Sequence, residues 1–338
     1  MKDNVTVAVV GATGLVGKTM LEILAERDFP VTEVHALASA RSVGKTVPYG
    51  DRRLDVMDLA GFDFSQADLA LFSAGASVSG VHATRAAEAG CVVIDNTSRF
   101  RYDDDVPLVV PEVNAGAIAQ YGLRNIIANP NCSTIQMLVA LKPIYDAVGI
   151  ARINVATYQA VSGAGAAAVE RLAKDAAARL GGQPIEEADS SIAFNAVPQI
   201  DVMTDNGYTR EEMKMLWETR KILDDDDIGV NATAVRVPVF FGHSEAIHIE
   251  TREHLPAPQA RELLESAPGV ELTADENGAT AATAVGHAAG NDPVYVSRVR
   301  QDMSHPNGLA MWVVADNVRK GAALNSVQIA EILVKDFL

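Results

Sequence analysis

Six apolar runs punctuate the first 130 residues: Val5 to Val10, Glu33 to Leu37, Asp68 to Ser73, Cys91 to Asp95, Leu108 to Val110 and Asn125 to Ala128. Several are continuous Val, Ile and Leu rather than alternating, the pattern of strands covered on both faces. Leu15 to Glu26 and Val78 to Ala89 instead space their apolar residues helically and are rich in alanine. Strand, helix, strand in repetition predicts a doubly wound parallel sheet. After Pro130 the rhythm changes. Ser133 to Ala147 reads as a helix, Arg152 to Ala160 as a strand, and Ala166 to Leu180 as a second helix after a Ser-Gly-Ala-Gly break. Ala232 to Phe241, Ser244 to Glu250, Pro293 to Val299 and Leu309 to Ala315 follow more closely and predict a mixed or antiparallel sheet. The chain ends on an amphipathic helix, with Leu324, Val327, Ala330, Val334 and Phe337 on one face. The expected organisation is an α/β dinucleotide-type domain over 1–130, completed by a C-terminal helix at 317–338, and an α+β domain over 131–316.

Composition narrows the function. With 28 Lys and Arg against 44 Asp and Glu, the net charge is −16, and no basic stripe offsets it. That disfavours nucleic acid and anionic membranes as partners. No apolar run reaches spanning length, and the N-terminal strand is too short for a signal core. Two cysteines, Cys91 and Cys132, do not make a disulfide framework, so a reducing cytoplasm is expected. The acidic run Asp224 to Asp227 reads as a solvated turn.

Gly11-Ala-Thr13-Gly14-Leu15-Val16-Gly17 follows the first strand and opens the first helix. In that setting glycines let a pyrophosphate approach backbone N–H groups at a helix N-terminus, the Rossmann-type arrangement. The second strand ends in Leu37-Ala38-Ser39, without the acidic residue that binds the ribose hydroxyl of NAD. Ser39, Arg41 and Ser42 offer hydroxyls and a cation suited to a 2′-phosphate, so NADP is the expected cofactor. Short-chain reductases and sugar epimerases carry similar turns with a Tyr-x-x-x-Lys pair. The residues four after each of the seven tyrosines are Arg53, Val106, Asn125, Gly149, Ser162, Glu212 and Val299, so that chemistry is excluded.

Asn129-Pro130-Asn131-Cys132-Ser133-Thr134 falls where the first domain gives way to a helix. A cysteine at the positive end of a helix is stabilised as thiolate, the nucleophilic form. Cys91, opening a strand, reads as a small core hydrophobe.

These segments, with Gln159, Ser162-Gly163-Ala-Gly165, Glu211-Glu-Met-Lys214, Arg236-Val-Pro-Val-Phe-Phe-Gly-His243-Ser-Glu and Asp316-Asn317-Val-Arg-Lys-Gly-Ala-Ala-Leu-Asn325, resemble aspartate-semialdehyde dehydrogenases in order along nearly the whole chain. The resemblance implies reversible, phosphate-dependent interconversion of L-aspartate 4-semialdehyde and L-aspartyl 4-phosphate with NADP. It places the chain in biosynthesis of lysine, threonine and methionine, as a homodimer formed through the second domain. It implies Cys132 as nucleophile, His243 as general acid/base and Gln159 as the group orienting the substrate or thiohemiacetal oxygen. Arg236 would pair with the α-carboxylate and Glu211 with the amino group. Lys214 and Arg101 would hold phosphate, with Arg99 as the competing arginine. Ser73, Gly75, Ser162, Gly163 and Asn317 would join the glycine turn around the cofactor; no metal is implied.

Arg236 and His243 are seven apart, an odd offset that puts them on opposite faces of one regular strand. A turn or bulge at Gly242, or a change of strand, would bring them together. Two readings compete with the first. N-acetyl-glutamyl-phosphate reductase runs the same chemistry but has no need of a free-amine acceptor such as Glu211. A catalytically silent NADP-binding protein would have no need of Cys132 and His243.

Overall fold

The computed structural model describes residues 4–185, 190–273 and 281–338. Two compact units divide the chain: Met1–Asn131 with Ala322–Leu338, and Cys132–Gly321.

In the first unit β1 (Val5–Val10), α1 (Leu15–Glu26), β2 (Val31–Ala38), β3 (Thr46–Tyr49), β4 (Arg52–Asp58), β5 (Leu69–Phe72), α2 (Ala76–Glu88), β6 (Val92–Asp95), α3 (Pro111–Asn114) and β7 (Ile126–Ala128) follow in sequence. The sheet order is β3-β4-β2-β1-β5-β6-β7, parallel except for β3 against β4. After β1 the chain builds first to one side and then, from β5, to the other. The strand ends beside β1 are therefore where an open α/β sheet leaves a crevice for a ligand.

The β3–β4 hairpin has no counterpart in the expected strands, because its residues are mostly exposed and its runs are short and polar. Leu108 to Val110 makes a single bridge to Ala128 instead of a strand. Asn114 takes its ladder groups, donating to the Leu108 carbonyl and accepting from the Val110 N–H. Asn125 stands outside β7 because its φ of 54° is left-handed. The terminal helix begins at Leu324, later than expected. Asp316 accepts the N–H groups of Val318 and Arg319, and Arg319–Ala323 forms a wide π-type turn before the helix proper. From there Leu324, Val327, Ala330 and Leu333 join Met20, Leu21 and Leu24 of α1 in one core.

The second unit contains α4 (Cys132–Val148), β8 (Ile150–Gln159), α5 (Ala166–Leu180), α6 (Arg210–Leu223), β9 (Gly229–Arg236), β10 (His243–Thr251), α7 (Ala257–Glu265), β11 (Val270–Leu272), β12 (Val294–Gln301) and β13 (Gly308–Ala315). Its mixed sheet runs β11-β12-β13-β10-β8-β9. β9 stops at Arg236, five residues short of the expected end, because Pro238 can donate nothing to a ladder. Asp225, in the acidic run, is no purely solvated residue: it accepts from Tyr145 and pairs with Arg252. No described helix is long and apolar enough to cross a membrane.

Candidate active site

The glycine turn of the first unit is built for close approach. Gly11 has a φ of 86°, and a Cβ there would lie 3.0 Å from Ser73. A Cβ on Gly17 would stand 2.2 Å from the Gly11 carbonyl oxygen, so α1 packs onto the turn only as glycine permits. Gly14 is the N-cap and supplies no side chain to the helix start. Ser73 follows β5 and donates to the Val10 carbonyl, and Gly75, with a φ of 93°, caps α2. Ser39, Arg41 and Ser42 form an exposed to half-buried short turn after β2. The cradle fits a dinucleotide at its backbone and a phosphate at its rim.

Arg101 and Arg99 are distinguished by burial. Arg101 is 6% exposed and donates to the Asn96 carbonyl, whereas Arg99 is exposed, lying over Phe100 near Asp103. Asn96 is itself held by Asn129 and Ser326, and Asn129 accepts from Asn325.

The second unit gathers the remaining candidates. Cys132 is the first residue of α4, partly exposed, with Gly321 so close that a Cβ there would come within 2.8 Å of Cys132 Cβ. Gln159 ends β8 opposite Arg236 at the end of parallel β9. Gln159 donates to Thr157 and to Glu211, which also accepts from Lys214 at 2.9 Å. Lys214 makes a second 2.9 Å bond to Asp201. Glu211 and Lys214 are thus no surface pair: their side chains are 7% and 12% exposed. Burial works against the Lys214 ammonium, but Glu211 and Asp201 outweigh it and raise its pKa. The Arg236 guanidinium donates to the Ala160 carbonyl at 2.6 Å. Burial lowers its pKa, while the neighbouring Cys132 and Glu211 pull it back upward.

His243 reaches this cluster by a change of strand: it opens β10, and β8 separates β10 from β9. Gly242 makes the entry, with a φ of 87°, packed so that a Cβ would meet Ala284 at 2.9 Å. His243 is fully buried, and its Nδ1 accepts the Ala160 N–H at 3.1 Å. Burial and then the Arg236 charge push its pKa down to about 3. The ring is neutral at physiological pH, and the bond at Nδ1 leaves the proton on Nε2. That nitrogen has no hydrogen-bond partner among the described residues. Gly163 lies over it: a Cβ there would stand 3.3 Å from Nε2 and 3.1 Å from Arg236 Nη1.

Asn317 is 4% exposed and bonded inside the unit, accepting from Gly242 and exchanging hydrogen bonds with Ser162. Its side chain braces the two loops that flank His243. Sequence reasoning missed Asp201 and Gly321. Asp201 lies in a loop without motif, and its partner Lys214 is thirteen residues on; Gly321 gave no signal beyond its place in Arg319-Lys-Gly321. No group of three His, Cys, Asp or Glu side chains capable of holding a metal occurs among the described residues.

Sequence models of the semialdehyde dehydrogenase NAD binding domain and dimerisation domain match residues 6–121 and 141–320. An aspartate-semialdehyde dehydrogenase of Legionella pneumophila is 60% identical, covering 100% of this chain and 98% of its own. The chain belongs to the aspartate-semialdehyde dehydrogenase family. Aspartate-semialdehyde dehydrogenase 2 of Vibrio cholerae is likewise 60% identical over 100% of both chains. The crystal structure of the Vibrio cholerae aspartate semialdehyde dehydrogenase II, complexed with ASA, superposes with a TM-score of 0.97 at 59% identity over 100% of both chains. A Candida albicans aspartate semialdehyde dehydrogenase with NADP has a TM-score of 0.76 at 26% identity, covering 98% of each chain.

Proposed function

We propose that this chain interconverts L-aspartate 4-semialdehyde and L-aspartyl 4-phosphate, dependent on phosphate and NADP, through a thioester on Cys132. The observation that supports it most is the second unit's cluster: a cysteine at a helix start, with Arg236, Glu211, Gln159 and His243 assembled from three strands and a helix. In the phosphorylating direction the Cys132 thiolate adds to the aldehyde carbon, and the resulting oxyanion takes a hydrogen bond from His243 Nε2–H. Bound NADP supplies the hydride acceptor that turns this adduct into a thioester. Phosphate held by Arg101 and Lys214 then attacks the thioester carbonyl, and Cys132 leaves as thiolate. Arg236 holds the α-carboxylate, Glu211 the ammonium group, and Gln159 orients the carbonyl oxygen. A neutral His243 acts in this cycle as a hydrogen-bond donor at Nε2. Residues 141–320 would form the homodimer contact, as the dimerisation-domain match suggests.

The test is NADP reduction with aspartate semialdehyde, with and without phosphate. Reduction should require both. Reduction with N-acetyl-glutamate semialdehyde in preference would favour the competing reductase.

Arg41→Ala should weaken NADP by about 10- to 150-fold, since a charge-assisted contact is worth about 1.5 to 3 kcal/mol. NAD should be nearly unaffected, and Ser39→Asp should move preference toward NAD. Titration of both cofactors checks this; equal losses would remove Arg41 from the 2′-phosphate site.

A further inference from the structure

Packed against the helix that Cys132 opens is a strand carrying a polar group that the proposed chemistry does not use. Glu245 stands two residues after His243 on β10, on the strand face where Ile247 and Ile249 are also buried, and it is 0% exposed. α4 packs against this strand. The start of α4 is unusual in the same way: Ser133, Thr134 and Gln136 are all 0% exposed, whereas the helix beyond buries Met137, Leu138, Val139 and Leu141. Neither Glu245 oxygen, nor either polar atom of the Gln136 amide, makes a well-formed hydrogen bond among the described residues. Gln136 and Ser133 are the polar side chains that act on the Glu245 carboxyl. A buried carboxyl at a helix–sheet contact costs stability that an isoleucine would not, so its presence calls for a role.

We propose that Glu245 is a positioning residue for Cys132, fixing the first turn of α4 through Ser133 and Gln136 and so setting how the sulfur is presented. The inference rests on the reading of Cys132 as the nucleophile. Burial favours the protonated form of Glu245, raising its pKa well above that of an ordinary carboxylate. Among the described residues, the groups known to face it are uncharged: Thr157 on β8 and Val313 on β13 are its register partners, Ser133 and Gln136 come from α4, and His243 on its own strand is neutral. The protonated form donates as well as accepts, so it can engage both a hydroxyl and an amide without placing a negative charge near the start of the helix.

The experiment measures iodoacetamide alkylation of Cys132 against pH, mapped by mass spectrometry, alongside kcat and the semialdehyde KM. Cys91 is separable, since burial pushes its thiol up to about 12. Glu245→Ala should raise the alkylation midpoint by about one pH unit and lower kcat about tenfold, with KM within about threefold. Glu245→Gln, which keeps the shape and the donor and acceptor of the protonated acid, should hold the midpoint and restore most of kcat. A wild-type midpoint in Glu245→Ala overturns the proposal, and so does Glu245→Gln as impaired as the alanine variant. If Glu245→Ala does not fold, Ser133→Ala decides: a shifted midpoint supports the positioning role and a wild-type midpoint overturns it. Turnover retained in Cys132→Ala would sink the nucleophile reading alone, because the alkylation midpoint reports on the helix start whatever the chemistry.

Discussion

Cys132→Ala should lower turnover by roughly 10⁴-fold or more, while NADP affinity, read by fluorescence titration, stays within about twofold. The asymmetry follows from where the residues lie in the chain. The glycine turn, Ser39 and Arg41 belong to the unit formed by Met1–Asn131 and Ala322–Leu338, while Cys132 opens the other. Nothing that cradles a dinucleotide is altered, but no group remains to carry the acyl chain between hydride and phosphate transfer. Single-turnover mixing with semialdehyde and NADP, in the absence of phosphate, isolates the step: wild type should give a burst of NADPH that the variant lacks. A burst surviving in Cys132→Ala would require another nucleophile. Cys91 is a poor candidate, being fully buried with its thiol held at about 12. Cys91→Ala should accordingly keep full activity.

Much of the first unit was legible because buried parallel strands are continuous apolar runs. The run Val5 to Val10 and the helix Leu15 to Glu26 match the structure residue for residue. What escaped was structure decided by partners rather than by local pattern. The β3–β4 hairpin exposes most of its residues, and Leu108 to Val110 looks like a strand until Asn114 occupies its backbone groups. In the second unit, the seven-residue offset from Arg236 to His243 is resolved by Pro238 ending one strand and Gly242 turning into another, with β8 between them. Motifs named the polar residues of the cluster, but sequence could not show their burial. Glu211 and Lys214 would have been an ordinary helix-surface pair; Gln159 and Asp201, far from them in sequence, close the set around them. The neutrality of His243 was equally unreadable, because it comes from complete burial and then from the Arg236 charge, while a backbone N–H 83 residues away fixes its tautomer.

Arg236→Lys should raise the semialdehyde KM by about 10- to 150-fold, the range of a lost charge-assisted hydrogen bond of about 1.5 to 3 kcal/mol. The guanidinium is already committed at Nη1 to the Ala160 carbonyl, leaving its other donors for a planar, two-point grip on a carboxylate. An ammonium cannot keep that tether and present a fork. A loosely held substrate also misplaces its carbonyl against Cys132, so kcat should fall as well. His243→Asn removes something different. Asn can still accept the Ala160 N–H, but it brings no donor to where Nε2 stands, so kcat should drop by about 10²- to 10⁴-fold with the semialdehyde KM little changed. The phosphate KM is the discriminating measurement, since Lys214 and Arg101 are assigned to that anion and neither is altered. It should stay within about threefold in both variants. If Arg236→Lys raises the phosphate KM most and spares the semialdehyde KM, Arg236 belongs to the phosphate site. The α-carboxylate would then need another cation, and Lys214, tied to both Glu211 and Asp201, would be the first to substitute.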